Sequence, residues 1–526
     1  MEEPLPLEYN TSQSVASKEF SLGFLRGNGS TVLYYCIIGT VSYWVGNMLY
    51  NIYLHPLRKI PGPKLAACSA LYEFYWDVLK RGKYVWQIDR LHEQYGPIVR
   101  ITPREVHIKD GHYISTVFAP SNRIRDKDPQ YTPAFAAPEA AISTEHHDLH
   151  RSRKALLQRF FSKQSVVKLE PYVWTKVDEM ADILRQAHQD NVIIDGVGIF
   201  AGLTADIITQ YAFGESFETL GRGEDMNAVM SAVSAVTITF HFNRFFPILR
   251  PIMSKIPISL FKNLLPGLAD VIEKQNTLQR MSLGALERRA SKTHEMKTVF
   301  DSLTDESVPE RERTVSRLMD EAFVILGAGT VTTSRAVTRI AFHLARDKSI
   351  ARKLRDELRT VMPTPDAHPE SHQLESLSYL NGVIQEGIRL TFGVTMRQVR
   401  IAPTETLIYK DFAIPPGTPI SQSTVLTNLD PTLFADPHEF YPDRWVENGN
   451  ELSQFMFSFS KGSRQCLGMN MAYAELFIAV AKLGRWFDLE LHETSEKNVV
   501  ITRDLGVGSP ENGPLKVHLK VKGLAT

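Results

Sequence analysis

Cysteine is scarce in this chain: three in 526 residues exclude a disulfide-stapled scaffold. No Cys-x-x-Cys pair and no His-Glu-x-x-His occurs, so the spacings of zinc sites are missing. An excess of one charge is missing too. Lys plus Arg and Asp plus Glu number 59 each, which removes the basic surplus of a nucleic-acid binder. No internal repeat or low-complexity tract divides the chain. A hydrophobic content of 43%, with 29 prolines spread along the length, marks a globular protein rather than a disordered one.

One absence is local. From Gly27 to Leu57 there is no Asp, Glu, Lys or Arg. Roughly 20 mainly apolar residues span a bilayer, and Tyr34, Tyr35, Tyr50 and Tyr53 flank the run as interfacial anchors would. Glu2, Glu3 and Glu8 precede it, and Arg58, Lys59 and Lys64 follow it, which places the bulk of the chain in the cytosol. The acidic upstream flank and the length of the run argue against a cleaved signal peptide. Asn10-Thr-Ser and Asn28-Gly-Ser are glycosylation sequons on the expected lumenal side. Residues 1–54 are therefore read as a lumenal N-terminus and a single membrane anchor, and residues 55–526 as one domain. The prolines of 55–63 cannot be helical on this reading and form a stiff hinge.

Cys36 lies in the apolar run and Cys68 soon after the prolines, which leaves Cys466. Its setting is Phe459-Ser-Lys-Gly462-Ser-Arg464-Gln-Cys466-Leu-Gly468, followed by an apolar helical pattern. Free N–H groups at a helix start stabilise a thiolate. Gly462 and Gly468 suit a tight turn against which a flat ligand can lie. Arg464 carries a fork that binds carboxylates.

From Arg313 to Asp347 the pattern is helical and free of proline, with Gly327-Ala-Gly329-Thr-Val331-Thr332-Thr333 at its middle. Glycine inside a helix costs about 1 kcal/mol against alanine, so this segment needs a reason: approach of a flat cofactor, or close packing between helices for Gly329. Glu386-Gly-Ile-Arg389 sets opposite charges at i, i+3, and Tyr441-Pro-Asp-Arg444-Trp445 follows.

These motifs, in this order, resemble the cytochrome P450 family along nearly the whole chain. The cysteine loop matches the family's Phe-x-x-Gly-x-Arg-x-Cys-x-Gly pattern at every fixed position. The resemblance implies a mainly α fold with small β-sheets, carried behind one transmembrane helix, and haem with Cys466 as the axial iron ligand. It implies a haem-binding set of Phe459, Gly462, Arg464, Gly468 and Gly329. Arg400 and one basic residue of the helical stretch 146–162 would meet the propionates, with Arg153 preferred over His150 and Arg151. Glu386, Arg389 and Arg444 would form a structural charge network, and Val394, Met396 and Val331 would line the substrate pocket. Thr332 takes the oxygen-relay position. Where the family carries an acid before that threonine, this chain has Val331, which puts the usual proton relay in doubt.

The implied activity is oxygen insertion into a lipophilic small molecule, with electrons from a separate NADPH-cytochrome P450 reductase on the endoplasmic reticulum membrane. Phe323-Val-Ile-Leu-Gly-Ala-Gly-Thr and Met471-Ala-Tyr-Ala-Glu-Leu resemble fungal secondary-metabolism members, trichodiene-oxygenase-like enzymes among them, which points to a terpenoid or polyketide-derived substrate. Two other readings stay open on the residues: a haem-thiolate catalyst of rearrangement, cyclisation or dehydration, and a haem- or lipid-binding membrane protein without turnover.

Overall fold

The computed structural model describes residues 16–221, 237–249 and 298–525, with scattered positions between 252 and 287; of 16–30 it describes the backbone alone. Asn10 lies outside the described residues, and Asn28 falls within the first helix. That helix, α1 (Ala16–Tyr53), carries the charge-free run: Thr31–Tyr53 has a mean hydropathy of 1.3 and is almost wholly exposed, Asn51 at its domain end being buried.

The proline segment differs from expectation. Pro56–Lys59 forms one 3₁₀ turn, capped by His55, whose Nδ1 accepts from the Leu57 N–H at 3.1 Å. Pro56 is tolerated because the first helical N–H has no intrahelical partner anyway. The turn docks on the domain: the Arg100 N–H donates to the Pro61 carbonyl at 2.7 Å, and its guanidinium reaches the Asn51 carbonyl at 2.7 Å.

Helices dominate the domain. Those that build the site are α2 (His147–Gln158), α3 (Glu170–Gln189), α4 (Gly196–Phe213), α5 (Val315–Arg346), α6 (Ser378–Thr391), α7 (Asp443–Leu452) and α8 (Met469–Trp486). The apolar α4 is long enough to cross a membrane by composition, but 83% of its apolar window is buried. Its Asp206 carboxylate is spent inside the protein, accepting from the N–H groups of Thr219 at 2.7 Å and Leu220 at 3.1 Å.

Among the described residues, four small sheets lie to the side. The largest joins β1 (Ile98–Arg100), β2 (Val106–Ile108), β4 (Gln398–Ile401) and β7 (Pro419–Gln422) in the order β1-β2-β7-β4. β3 (Ile194–Asp195), β8 (Phe487–Leu491) and β11 (His518–Leu524) form the second, in the order β3-β11-β8. β5 (Leu407–Tyr409) pairs with β6 (Phe412–Ile414), and β9 (Arg503–Leu505) with β10 (Val507–Ser509).

The long helix α5 is positioned by α4. A β-carbon on Gly329 would lie 2.6 Å from Ile208 Cγ1, so only glycine lets the two backbones come this close. Thr204 Oγ1 then donates to the Thr330 carbonyl at 2.8 Å. Along α5, Thr332, Ser334 and Thr338 return their hydroxyls to carbonyls one turn back, at 2.9, 2.6 and 2.7 Å.

Among the described residues several buried charge networks tie the elements, and two of them stand out. In the first, Glu386 accepts from Arg389 at 2.7 and 2.8 Å, Arg444 at 3.1 Å, the Trp445 indole at 2.8 Å and the Tyr441 N–H at 3.0 Å. Arg389 also holds the carbonyls of Asn428, Pro437 and Glu439, so α6, α7 and the segment before the cysteine loop share one anchor. The second gathers Glu73, Asp77 and Glu105 around Arg244 and Arg397. His241 bridges Asp77 and Asp504, at 3.5 Å from each.

Candidate active site

The cysteine loop folds through a short turn, Gly462–Arg464, and the Cys466 N–H donates back to the Phe459 carbonyl at 2.8 Å. Gly462 has φ +69°, and a β-carbon there would overlap the carbonyl oxygens of Phe118 and Ala119. Its role is close approach to protein backbone. Gly468, with φ −85°, is the N-cap of α8, and no atom lies within 4 Å of where its β-carbon would be.

A largely apolar cavity opens over the loop, about 1710 Å³ of space, part of it open to solvent. Cys466 is exposed only in that it faces this cavity; the group itself lies deep in the protein. Burial pushes its thiol up, against the Gly468 N–H and the Lys154 ammonium, which favour the thiolate. Phe459, Gly462's neighbour Arg464, Gly468, Gly329, Thr332, Val394 and Met396 all stand in or beside the same wall.

The cavity's basic corner tests the fit of a dianionic cofactor. Lys127, His150, Lys154, Arg400 and Arg464 line it, and the four Lys and Arg among them make no ion pair among the described residues. Burial, with Arg464 beside it, pulls Arg400 down to about 9; burial takes Arg464 down to about 10 despite Asp126. Burial and the same cations drive His150 down to about 2 and Lys127 well below its usual range. No carboxylate among the described residues forms an ion pair with these cations, and the two propionates of a haem would supply that pairing. Arg400 donates to Ser460 Oγ at 3.1 Å and Arg464 to the carbonyls of Arg125 and Thr144 at 3.0 and 2.7 Å, which fixes both guanidiniums while leaving donors to spare.

Two expectations are corrected. Arg153 does not reach this corner: its Nε donates to Glu312 at 2.9 Å and its Nη1 to the Glu139 carbonyl and Thr144 Oγ1. On α2 the residues that face the cavity are His150, Lys154 and Leu157, one helical stripe, and Arg153 lies off it, while Arg151 is exposed. Val331 does not line the cavity either. Ile325, Ala328, Gly329 and Thr332 form the facing stripe of α5, and Val331 is turned into the hydrophobic core. Lys127 carries no signal in the sequence, and Lys154 belongs to the basic stretch without being the residue preferred there; it holds the carbonyls of Ser463 at 3.1 Å and Gln465 at 3.0 Å, a contact no local motif encodes.

The Cytochrome P450 family profile matches residues 70–516. The chain belongs to the cytochrome P450 family. It is 39% identical over 506 residues to the cytochrome P450 monooxygenase aflU of Aspergillus parasiticus, covering 94% of this chain and 99% of that protein. The monooxygenase TRI4 of Fusarium sporotrichioides is 39% identical over 484 residues, 91% of this chain and 93% of its own length. The conidiogenone synthase PchP450 of Penicillium rubens is 38% identical over 486 residues, 91% of this chain and 98% of its own. Among solved structures, retinoic acid bound cyanobacterial CYP120A1 superimposes with a TM-score of 0.68 at 18% identity, covering 88% of this chain and 99% of that one, which establishes the shared fold. The protein is thus a P450 monooxygenase of the fungal secondary-metabolite type, and haem held by a cysteine thiolate is the family's defining cofactor.

Proposed function

We propose that this P450 inserts one oxygen atom from O₂ into a lipophilic terpenoid or polyketide-derived intermediate, by hydroxylation or epoxidation. The observation that carries the reading is a cavity walled together by Cys466, Thr332 and apolar side chains including Ile208, Val324, Val394 and Met396. Haem, when bound, supplies the oxidising chemistry; the thiolate ligand pushes electron density onto iron. In this assignment Cys466 ligates iron. Arg400, Arg464, Lys127 and a basic side chain of α2 hold the propionates, and Phe459 and Gly468 border the ring. Thr332 moves protons, and the apolar wall excludes water and fixes the substrate pose. Gly329 lines the same cavity and, through its close contact with Ile208, sets the position of α5 over it.

Electrons come from an NADPH-cytochrome P450 reductase. The exposed apolar helix α1 supports anchoring in the endoplasmic reticulum membrane, with residues 55–526 as a cytosolic catalytic domain and 1–54 as lumenal tail and anchor. The test is co-expression with reductase in a host that makes candidate terpenoids. Mass analysis should find products heavier by one oxygen atom, formed with consumption of NADPH and O₂. Product formation without that consumption would overturn the oxygen-insertion assignment.

A further inference from the structure

The residue before Thr332 is not an acid, and Val331 is buried in the core, so protons need another route. Next to the main cavity lies a second, narrow pocket, with room for about one water molecule. Thr332, Arg335, Arg339, Thr391, Gly393 and Gly508 line it, and Thr332 and Gly393 are the residues it shares with the main cavity. Arg335 and Arg339 follow Thr332 by one and two turns of α5 and share its face.

Both guanidiniums are tethered to backbone, Arg335 to the Gly508 carbonyl and Arg339 Nη1 to the Val499 carbonyl at 2.7 Å. Arg339 is 7% exposed, and its Nε has no hydrogen-bond partner among the described residues. No carboxylate among the described residues forms an ion pair with either, and burial brings both down to about 10. A water beside unneutralised cations is polarised and gives up a proton more readily. Thr332 donates its hydroxyl hydrogen to the Ala328 carbonyl at 2.9 Å, which leaves its oxygen able to accept.

We propose that this pocket is the solvent-side station of the proton path. Water held by Arg335 and Arg339 passes a proton to the Thr332 oxygen, and the hydroxyl's own hydrogen leaves the Ala328 carbonyl and passes into the main cavity, in place of the missing carboxylate. The proposal rests on the monooxygenase reading. Overall the substrate C–H bond becomes C–OH, and the second oxygen atom of O₂ leaves as water. NADPH, through the reductase, supplies the electron pair. Bulk water supplies the protons through the pocket, and the arginines end unchanged. They are positioning residues.

The experiment compares haem-loaded parent, Arg335→Met, Arg335→Lys and Arg339→Leu. A high-resolution crystal structure of the parent should show an ordered water between Thr332 and the guanidiniums, and that of Arg335→Met should lack it. Product per NADPH should fall about tenfold in Arg335→Met, with peroxide released instead, and recover in Arg335→Lys. Hydrogen peroxide supplied in place of O₂ and NADPH carries its own protons, so product formation with it should stay within about twofold of the parent. An empty pocket in the parent, or unchanged product per NADPH once the water is lost, overturns the proposal. Should the arginine variants fail to load haem, Thr391→Val, which alters the same pocket, takes their place with the same readouts. A parent that makes no product by either route, yet shows the water, refutes the monooxygenase reading instead.

Discussion

Gly462 presses against the Ala119 carbonyl with no space for a side chain between them. At φ +69°, a β-carbon there is also strained, so Gly462→Ala should displace the cysteine loop. The expected outcome is protein with little bound haem. Gly468→Ala meets no protein atom within 4 Å and should fold normally, with any defect confined to haem binding. Haem content and thermal denaturation of the apoprotein separate the two; equal behaviour of both variants would contradict the geometry.

Replacing Cys466 with Ala should abolish the long-wavelength Soret band of the reduced carbon monoxide complex together with turnover. A Cys466→Ala protein that keeps the band would remove Cys466 from the iron.

The Glu386–Arg389 pair is wholly buried. Arg389→Met leaves the Glu386 carboxylate with reduced neutralisation and strands three carbonyls, and should cost about 3–5 kcal/mol of stability. Chemical denaturation followed by tryptophan fluorescence measures this, and a loss below about 1 kcal/mol would show the network to be dispensable.

His241 gives the protein a pH dependence. Burial alone would lower its pKa, but Asp77 and Asp504 outweigh burial and the repulsion of Arg244, and the direction is upward. Its stabilising contribution is complete below the unfolded value near 6.5 and is lost as pH rises through the higher folded value. Asp77, itself raised by burial, acts in the same direction; Asp504, whose pKa is lowered despite burial by its bonds to His241 and Thr395, loses its contribution at acid pH. His241→Asn should therefore depress the melting temperature more at pH 6 than at pH 9. An equal depression at both would count against a charged His241.

Val331→Asp should destabilise rather than restore a relay, because the carboxylate enters the hydrophobic core. About 2–5 kcal/mol is expected for a buried, unpaired acid. Denaturation measures it, and unimpaired stability with improved product per NADPH would show that the side chain can reach the cavity after all.

The legible parts of this molecule were those whose partners sit close in sequence. The cysteine loop, the glycine–threonine stretch of α5 and Glu386–Arg389 each place their chemistry within a few residues, and periodicity or spacing suffices to find them. Arg153 does not meet the expectation because the basic residues His150, Arg151, Arg153 and Lys154 on one short helix differ only in azimuth, which neighbouring elements fix. The Arg244–Glu73 and Arg397–Glu73 contacts join positions 171 and 324 residues apart, and composition carries no trace of such pairings. Lys127 was invisible for the same reason: its loop acquires meaning only beside Arg400 and Arg464.

That basic corner has a consequence for how the protein is made. Like charges packed in a low-dielectric recess repel one another, so the chain without its cofactor stores electrostatic stress at the centre of its own fold. The two propionates of a haem would relieve it. A ligand that neutralises that corner binds the folded chain and not the unfolded one, so the cofactor would be part of what holds the fold together.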